Sequence, residues 1–441
     1  MLLVHAAVAF ATYNFGFVSK LWVPAVVGVF LLRIITNGNK NNEVLVAAAY
    51  MTGIEVFARM TGGAVSYEFS KYAVMGFLII GMFFNGFNKN AWPYFFYIIL
   101  LVPGILFSAM NLNYETNMVK TIASNLSGPV TLGVAALYCN DRKVSPERLQ
   151  HILLAILLPV VTTTVYLYLY TPSIKNILRG TQSNFAASGG FGPNQVATIL
   201  GLGIFILFTR LILNKSKLLN IIDLSLIGLI AYRAIVTFSR GGVLTAGVCA
   251  VIFVFIYFRH TTIKGKANLI PKILMLVGVV LATWIYSSVT TSGLIDKRYA
   301  NQDAAGRVKQ DVTTGRVELF NKELEAFYEY PITGVGVGKV REYRLEKTGR
   351  SSATHNEVSR ILSEHGLFGL SAILLLLLKP LYMRIRNRTN LYLFSFVAFW
   401  FLTINHSSMR VAAPAFIYGL ALLSIVSETK KTSLHRKQPS S

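Results

Sequence analysis

One histidine and its surroundings have the features of a general base. His355 precedes the stretch from Glu357 to Glu364, whose i,i+3 and i,i+4 charge spacing is typical of a helix. Ser352 or Thr354 is the predicted N-cap of that helix, which places His355 in its first turn. Because the start of a helix disfavours a protonated imidazole, His355 is expected to be neutral and able to accept a proton. The alternative is a surface histidine in a loop, which is the commoner situation for a lone histidine.

Two arginines lie where they could bind an anion. Arg240 follows Ser239 and precedes two glycines, between two apolar segments with almost no loop. A guanidinium at the membrane edge is costly unless it meets an anion, although an arginine also reaches the interface by snorkelling. Arg316 opens a predicted amphipathic helix, where a salt-bridged surface arginine is the alternative. Two arginines near helix N-termini suit a diphosphate, because each guanidinium can pair with two phosphate oxygens.

Other polar residues near predicted membrane boundaries are weaker candidates. Arg179 and Asn194 belong to a segment rich in glycine and amide side chains that precedes an apolar segment. Its composition suits sugar hydroxyls or phosphate, and ordinary turn chemistry explains it equally well. His406 and Arg410 lie between the last two apolar segments, where charged groups are functional candidates and interface anchors alike.

The cysteines and histidines predict no metal site. The two cysteines, Cys139 and Cys249, lie in or beside apolar segments, and the sequence has no H-E-x-x-H or paired-aspartate motif. Neither a metal nor another cofactor is therefore expected.

The elements that carry these residues are predicted to be transmembrane helices. Hydrophobic residues make up 54% of the 441-residue chain and charged residues only 14%, with a mean hydropathy of +0.53. Soluble domains usually have about a quarter charged residues. Apolar segments of roughly membrane-spanning length recur along the whole chain. The predicted fold is an all-α, polytopic bundle of about 12 to 14 transmembrane helices.

The net charge of +23 indicates a membrane topology and no nucleic-acid partner. Lysines and arginines concentrate in every second connection, as in cytoplasmic loops, and no aromatic-basic nucleic-acid module is present. The candidates above then share the outer side of the membrane. The predicted organisation is a transmembrane bundle over residues 1–290, a lid containing helices over 291–365, C-terminal transmembrane helices over 366–427, and a cytoplasmic tail over 428–441.

Four motifs resemble those of the O-antigen ligase and polymerase superfamily of bacterial lipid-linked glycan transferases. His355-Asn356 is followed, after nine residues, by Gly-Leu-Phe-Gly, a histidine-amide pair at a fixed distance from Gly-x-x-Gly. The lid helix departs from the family in having Phe320 where tryptophan is typical. The other three motifs are Ser239-Arg240-Gly241, the lid elements at 315–316 and 330–336, and the helix entry at 190–194. The N-terminal third matches no motif of the family, including its charged residues Glu55, Arg59, Glu68 and Lys71.

The resemblance implies a GT-C-like, inverting and metal-independent glycosyltransferase of the bacterial inner membrane, with its site facing the periplasm. It also implies a glycan on undecaprenyl diphosphate as the donor, lipid A-core or another glycan as the acceptor, and membrane lipid around the chain. His355 is then the general base, and Arg240 and Arg316 hold the leaving diphosphate. Further substrate-binding residues are expected to be Asn356, Arg179, Asn194, Arg410 and His406.

Several functions stay open at the level of the sequence. Ligation is favoured because the pattern from His355 to Gly369 follows the ligase type and the lid is of medium size. A polymerase shares these residues. A transporter or flippase of lipid-linked sugar is less favoured, since no internal repeat is evident and the polar residues gather at one face. A non-catalytic scaffold would require none of the three proposed catalytic residues.

Overall fold

The computed structural model describes residues 1–113, 115–310, 315–349, 354–386 and 390–426, which are almost entirely helical. The predicted tail over 428–441 lies outside the described residues. A two-residue parallel pair joins β1 (Lys143–Val144) to β2 (Ser424–Ile425). The helices are α1 (Leu2–Asn14), α2 (Phe17–Asn37), α3 (Glu43–Met60), α4 (Phe69–Asn85), α5 (Trp92–Leu100), α6 (Val102–Asn111), α7 (Met118–Cys139), α8 (Pro146–Tyr170), α9 (Pro193–Leu213), α10 (Lys217–Ile235), α11 (Arg240–His260), α12 (Ile263–Thr290), α13 (Leu294–Tyr299), α14 (Arg316–Glu329), α15 (Lys339–Thr348), α16 (Glu357–Arg386), α17 (Leu393–Ser407) and α18 (Ala412–Ala421).

Nine helical segments in the described ranges are long and apolar enough to span a membrane. They are α2, the stretch Lys89–Asn111 that contains α5 and α6, each helix from α7 to α12, and α16. Helices α1, α4, α17 and α18 are apolar but have only 10–17 residues. Because a helix rises about 1.5 Å per residue, these four fall short of the ~30 Å hydrocarbon core. The predicted polytopic all-α bundle is confirmed, with nine candidate spans where about 12 to 14 were predicted.

Close contacts between helices in the bundle fix the start of α11. Helix α3 lies deep inside, packed on α4 and α8. Helix α9 packs against both α10 and α11, and the backbones of Gly201 and Gly242 touch where α9 meets α11. Small residues permit this approach, because a larger side chain would separate the two backbones. The contact places Arg240, the first residue of α11, beside the start of α9.

The long connection between α12 and α16 contains α13, α14 and α15, as predicted for the lid, and its residues 311–314 and 350–353 lie outside the described part. Its three glycines at 334, 336 and 338 all have positive φ and form a tight turn. The turn docks on α16, where the backbone N–H groups of Val335 and Gly336 donate to the carbonyls of Ser363 and Glu364 at 2.9 and 3.1 Å. The boundaries 1–290, 291–365 and 366–427 stay a prediction.

Helix α16 is kinked at the first glycine of the Gly-x-x-Gly motif. Gly366 has φ 59° and ψ −135°, and the N–H of Leu367 donates to the carbonyl of Pro331 in the lid at 2.8 Å. A Cβ atom at position 366 would lie 2.5 Å from that same carbonyl oxygen. The motif therefore serves the docking of the lid, since only glycine fits both the backbone angle and the space.

Gly366→Ala is expected to destabilise the folded protein by about 1–3 kcal/mol, through the positive φ and the clash with Pro331. Thermal unfolding of the purified protein in detergent measures the change. Gly76→Ala is the matched control, because Gly76 lies inside α4 with open space around its Cβ position. An equal melting temperature for both variants would show that the kink does not need glycine.

Candidate active site

Four arginines gather at one end of the bundle and form what we call the arginine cluster: Arg240, Arg298, Arg316 and Arg410. Burial, followed by the charges of Arg240 and Arg410, lowers the pKa of Arg316. Burial, followed by the charges of Arg240 and Arg316, also lowers the pKa of Arg298. None of the four forms a salt bridge with a carboxylate in the described part of the chain. Guanidinium groups that lower the pKa of a neighbouring arginine and have no carboxylate partner among the described residues indicate an anion-binding site.

The sharp junction between α10 and α11 links two members of the cluster. Phe238 has a φ of 58°, so the chain reverses within a few residues and α11 starts at Arg240. Arg240 Nη1 donates to Asn301 Oδ1 at 2.6 Å and to the carbonyl of Arg298 at 3.4 Å. Arg298 Nε donates in turn to the carbonyl of Phe238 at 3.1 Å. Arg240 of the junction is therefore bound by residues of α13 and just after it, and Arg298 of α13 is bound by the junction.

The third member, Arg316, is the first residue of the lid helix α14. Gly315, with a φ of 78°, precedes this helix. The Arg316 guanidinium forms no hydrogen bond or ion pair with any described residue. It lines a cavity of about 180 Å³ together with His355, Asn356 and Asn405. Arg316 is therefore positioned to bind a ligand in this cavity.

The start of α16 differs from the prediction. Asn356 is its N-cap, because Asn356 Oδ1 accepts from the N–H groups of Val358 and Ser359 at 2.8 and 3.2 Å. The predicted caps are wrong: Thr354 Oγ1 binds Glu323 Oε1 at 2.8 Å instead, and Ser352 lies outside the described residues. His355 consequently precedes the cap and is not in the first helical turn.

His355 has the protonation state that the sequence predicted, but for a different reason. Burial lowers its pKa to about 4, with further contributions from the charges of Arg410, Arg316 and Arg344. The imidazole is therefore neutral at pH 7, and the arginines take the role that the helix terminus was expected to play. His355 Nδ1 is buried and has no hydrogen-bond partner among the described residues. The nitrogen is thus unpartnered in a residue that lines the cavity beside Arg316.

Three of the predicted substrate-binding residues lie at this end of the bundle with their polar groups bound within the protein. Asn194 Oδ1 accepts from Ser239 Oγ at 2.7 Å, and the Asn356 amide donates to Asn405 Oδ1 at 2.9 Å. The His406 ring lies against Gly241, with Nδ1 at 2.8 Å from the Leu402 carbonyl. Asn194 and His406 thus support the start of α11, and their direct contact with substrate stays a prediction.

The part of the chain that builds most of this site matches a known family. Residues 224–374 match the model of the Wzy_C family, described as O-antigen ligase. This part of the chain is an O-antigen ligase domain. The match confirms the resemblance to this family and contains three of the four motifs, whereas the helix entry at 190–194 lies outside it. The family covers O-antigen ligases and polymerases. No curated protein and no solved structure gives a match to the chain.

Three members of the arginine cluster and His355 lie inside the matched O-antigen ligase domain, and Arg410 lies beyond it. Arg410 Nη2 donates to the carbonyl of Thr354 at 2.6 Å, next to His355. The connection between α17 and α18, outside the matched residues, therefore contributes to the site.

Arg179 lies apart from the arginine cluster. It is exposed and lines a separate cavity of about 530 Å³ together with Asn184 and Lys309. Lys309 connects the two regions electrostatically, because burial and then the charges of Arg298 and Arg240 lower its pKa. Arg179 therefore lies in a neighbouring cavity, and its predicted role in binding substrate stays a prediction.

The charged residues of the N-terminal third hold Arg410 in place, which the sequence did not predict. Arg59 Nη1 donates to the Arg410 carbonyl at 2.7 Å, and Glu55 Oε2 accepts from the Ala412 N–H at 2.6 Å. Arg59 and Glu55 also pair with each other at 2.6 Å. The available signal was two opposite charges four residues apart in an otherwise apolar helix, because such residues are rarely without a role.

Proposed function

We propose that this O-antigen ligase domain transfers a glycan as one block from undecaprenyl diphosphate to an acceptor sugar, with ligation to lipid A-core as the first choice. The observation that carries the proposal is the arginine cluster next to a neutral imidazole with an unpartnered nitrogen. A diphosphate needs several positive charges, and the transferred glycan needs a base close to the acceptor hydroxyl.

The arginine cluster acts on the leaving group. As the bond between the anomeric carbon and the phosphate oxygen breaks, the electron pair and the negative charge move onto the diphosphate. Guanidinium groups already in place stabilise that charge without reorganisation, which is the main way in which such a site lowers a barrier. Arg316 is the member best placed to contact phosphate oxygens, because no described residue occupies its guanidinium.

His355 acts on the acceptor. The acceptor hydroxyl oxygen attacks the anomeric carbon while its proton passes to an imidazole nitrogen, so that the new glycosidic bond forms as the old one breaks. Before the donor binds, burial and the arginines keep the pKa of His355 at about 4. A bound diphosphate opposes the arginine charges and therefore raises that pKa. The base becomes stronger once the donor is in place.

Metal ions have no role in this proposal, since the arginines supply the positive charge. Among the described residues no group of three or more His, Cys, Asp or Glu side chains could hold a metal ion. A chelator is therefore expected to leave the initial rate of glycan transfer unchanged. Inactivation by chelator that added divalent cation reverses would contradict this role of the arginines.

A periplasmic location of the site is supported by basic residues at the opposite end of the bundle. Helices α9 and α11 start at the site and finish at this opposite end. There Lys272 Nζ donates to the Leu211 carbonyl at 2.7 Å, and Arg384 contacts His260 at 3.0 Å. Short basic connections stay in the cytoplasm. Further basic residues in these connections are Arg210, Lys215, Lys217, Arg259, Lys264 and Lys266.

A polymerase is the second candidate, because the family covers both reactions and the residues at the site suit either. Incubation of the purified protein with donor and either lipid A-core or a second donor molecule separates them. We expect product with lipid A-core. Product only with the second donor would replace ligation by polymerisation.

Arg59→Gln is expected to lower kcat for glycan transfer by about tenfold, because the loop that carries Arg410 loses its hydrogen bond and small displacements of catalytic groups are costly. Steady-state kinetics measure the effect. In an Arg410→Ala background the same substitution should have little further effect, since both changes act through one side chain. The exposed Arg33, changed to glutamine, is the control. Equal losses in both backgrounds would exclude a positioning role.

A further inference from the structure

A third cavity, larger than the one beside Arg316, opens at the same end of the bundle. Its volume is about 600 Å³, within the range of ligand sites in proteins. Helices α4, α7 and α15 and the start of α16 form its walls. Residues that line it include Tyr67, Lys71, Ser124, Asn125, Leu345 and Glu364.

The segment that carries His355 separates this cavity from the smaller one beside Arg316. Thr354 and Arg410 line the larger cavity, whereas His355 and Asn356 line the smaller one. The Arg410 guanidinium is bound to the Thr354 carbonyl at this boundary. A molecule in the larger cavity can therefore place one hydroxyl group next to His355 while the rest stays away from Arg240, Arg298 and Arg316, which do not line this cavity.

Apart from Arg410, most charged side chains that line the larger cavity are paired with an opposite charge, in contrast to those of the arginine cluster. Glu68 pairs with Lys71 at 2.7 Å, and Glu342 pairs with Lys339 at 2.9 Å. Arg360 is held between the carboxylates of Glu357 and Glu364. A wall of paired charges and amides offers many hydrogen-bond donors and acceptors but little net attraction for an anion.

An aromatic side chain adds a surface for a sugar ring. Tyr67 lines the cavity with 52% of its surface exposed, and the guanidinium carbon of Arg59 lies 3.9 Å from its ring centroid. Gln195 Nε2 is 3.2 Å from the Tyr67 hydroxyl, so the ring is fixed in place. The flat apolar face of a fixed aromatic ring suits the C–H face of a sugar.

We propose that the larger cavity binds the terminal, uncharged sugars of the acceptor, and that the reacting hydroxyl of these sugars reaches His355 past Thr354 and Arg410. This inference rests on the proposed glycan transfer. It divides the site by chemistry, since the diphosphate of the donor takes the arginine cluster and the acceptor sugars take the charge-balanced cavity.

Filling the cavity tests the assignment. Ser124→Trp on α7 and Leu345→Trp on α15 each place an indole in the cavity from a different wall, and both positions are exposed enough to tolerate it. With undecaprenyl-diphosphate-linked glycan as the donor and lipid A-core as the acceptor, each is expected to raise the acceptor KM about tenfold, while the donor KM stays within about twofold. Ala123→Trp is the matched control, because Ala123 is the exposed neighbour of Ser124 on α7 and does not line the cavity.

The outcomes separate this inference from the proposed function. An active wild-type protein whose acceptor KM is unchanged in both variants would overturn the acceptor cavity alone. A raised donor KM in both variants would reassign the cavity to the donor glycan. Absence of transfer by the wild-type protein with either lipid A-core or a second donor molecule as acceptor would remove the proposed function and this inference together.

Discussion

His355→Ala is expected to lower kcat for glycan transfer by about 10²–10⁴-fold, which is the usual contribution of a positioned base. The imidazole removes the acceptor proton as the glycosidic bond forms, and no other described histidine lines the cavity that contains Arg316. Binding of the donor should persist, because the diphosphate is held by the arginine cluster. Single-turnover kinetics with saturating donor and acceptor, together with a separate donor-binding measurement, give both quantities.

A matched control distinguishes loss of the base from general damage. His151 is exposed near the start of α8, so His151→Ala should leave turnover unchanged. Full turnover by His355→Ala would remove the assignment of the base, whatever the other variants show.

The pH profile of the wild-type protein also tests the assignment of His355 as the general base. Only the neutral imidazole accepts a proton, so activity should fall as pH falls through the pKa of His355. That pKa is about 4 in the free protein, so kcat/KM should decline only in strongly acidic solution. The bound diphosphate raises the pKa, and the decline of kcat should therefore occur at higher pH than that of kcat/KM. Coinciding acid limbs would contradict the proposed electrostatic link.

Arg316→Ala is expected to lower kcat by about 10²–10³-fold, because each donor aimed at developing charge contributes on that scale. Arg298→Ala should have an effect of the same order, although the sequence alone did not single out this residue. The two losses should combine less than additively, since both guanidinium groups act on one diphosphate. Steady-state kinetics on the two single variants and the double variant measure these terms.

The specificity of the arginine effect has two checks. Arg316→Lys should restore only part of the activity, because an ammonium group cannot pair with two phosphate oxygens at once. Arg307 belongs to the same connection, but its side chain is 81% exposed and paired with Asp303, so Arg307→Ala should be neutral. Equal losses for Arg307 and Arg316 would mean that general charge, and not a specific clamp, accounts for the effect.

The residues that could be predicted from the sequence are those whose signal is local. Arg240 and Arg316 each begin a helix, and both do so in the structure. His355 stands out because it precedes a helix start at a fixed distance from Gly-x-x-Gly. The membrane bundle follows from apolar segment length, although the number of spans does not, since an apolar segment does not reveal where its helix ends.

The residues that could not be predicted reach the site through tertiary packing. Arg298 joins the cluster only because α13 folds back onto Phe238, 60 residues earlier. Arg59 acts on a loop 351 residues away. Spacing along one sequence contains no information about such contacts. The prediction of the N-cap of α16 failed for a different reason. Ser352, Thr354 and Asn356 all suit an N-cap, and only the packed structure selects Asn356.

Reconstitution into liposomes with undecaprenyl-diphosphate-linked glycan and lipid A-core tests the central claim most directly. The account predicts that the wild-type protein releases undecaprenyl diphosphate and joins the glycan to lipid A-core, and that the His355→Ala and Arg316→Ala proteins do neither. Movement of the intact donor across the bilayer, with no glycosidic bond broken, would contradict it and would identify a transporter of lipid-linked sugar instead.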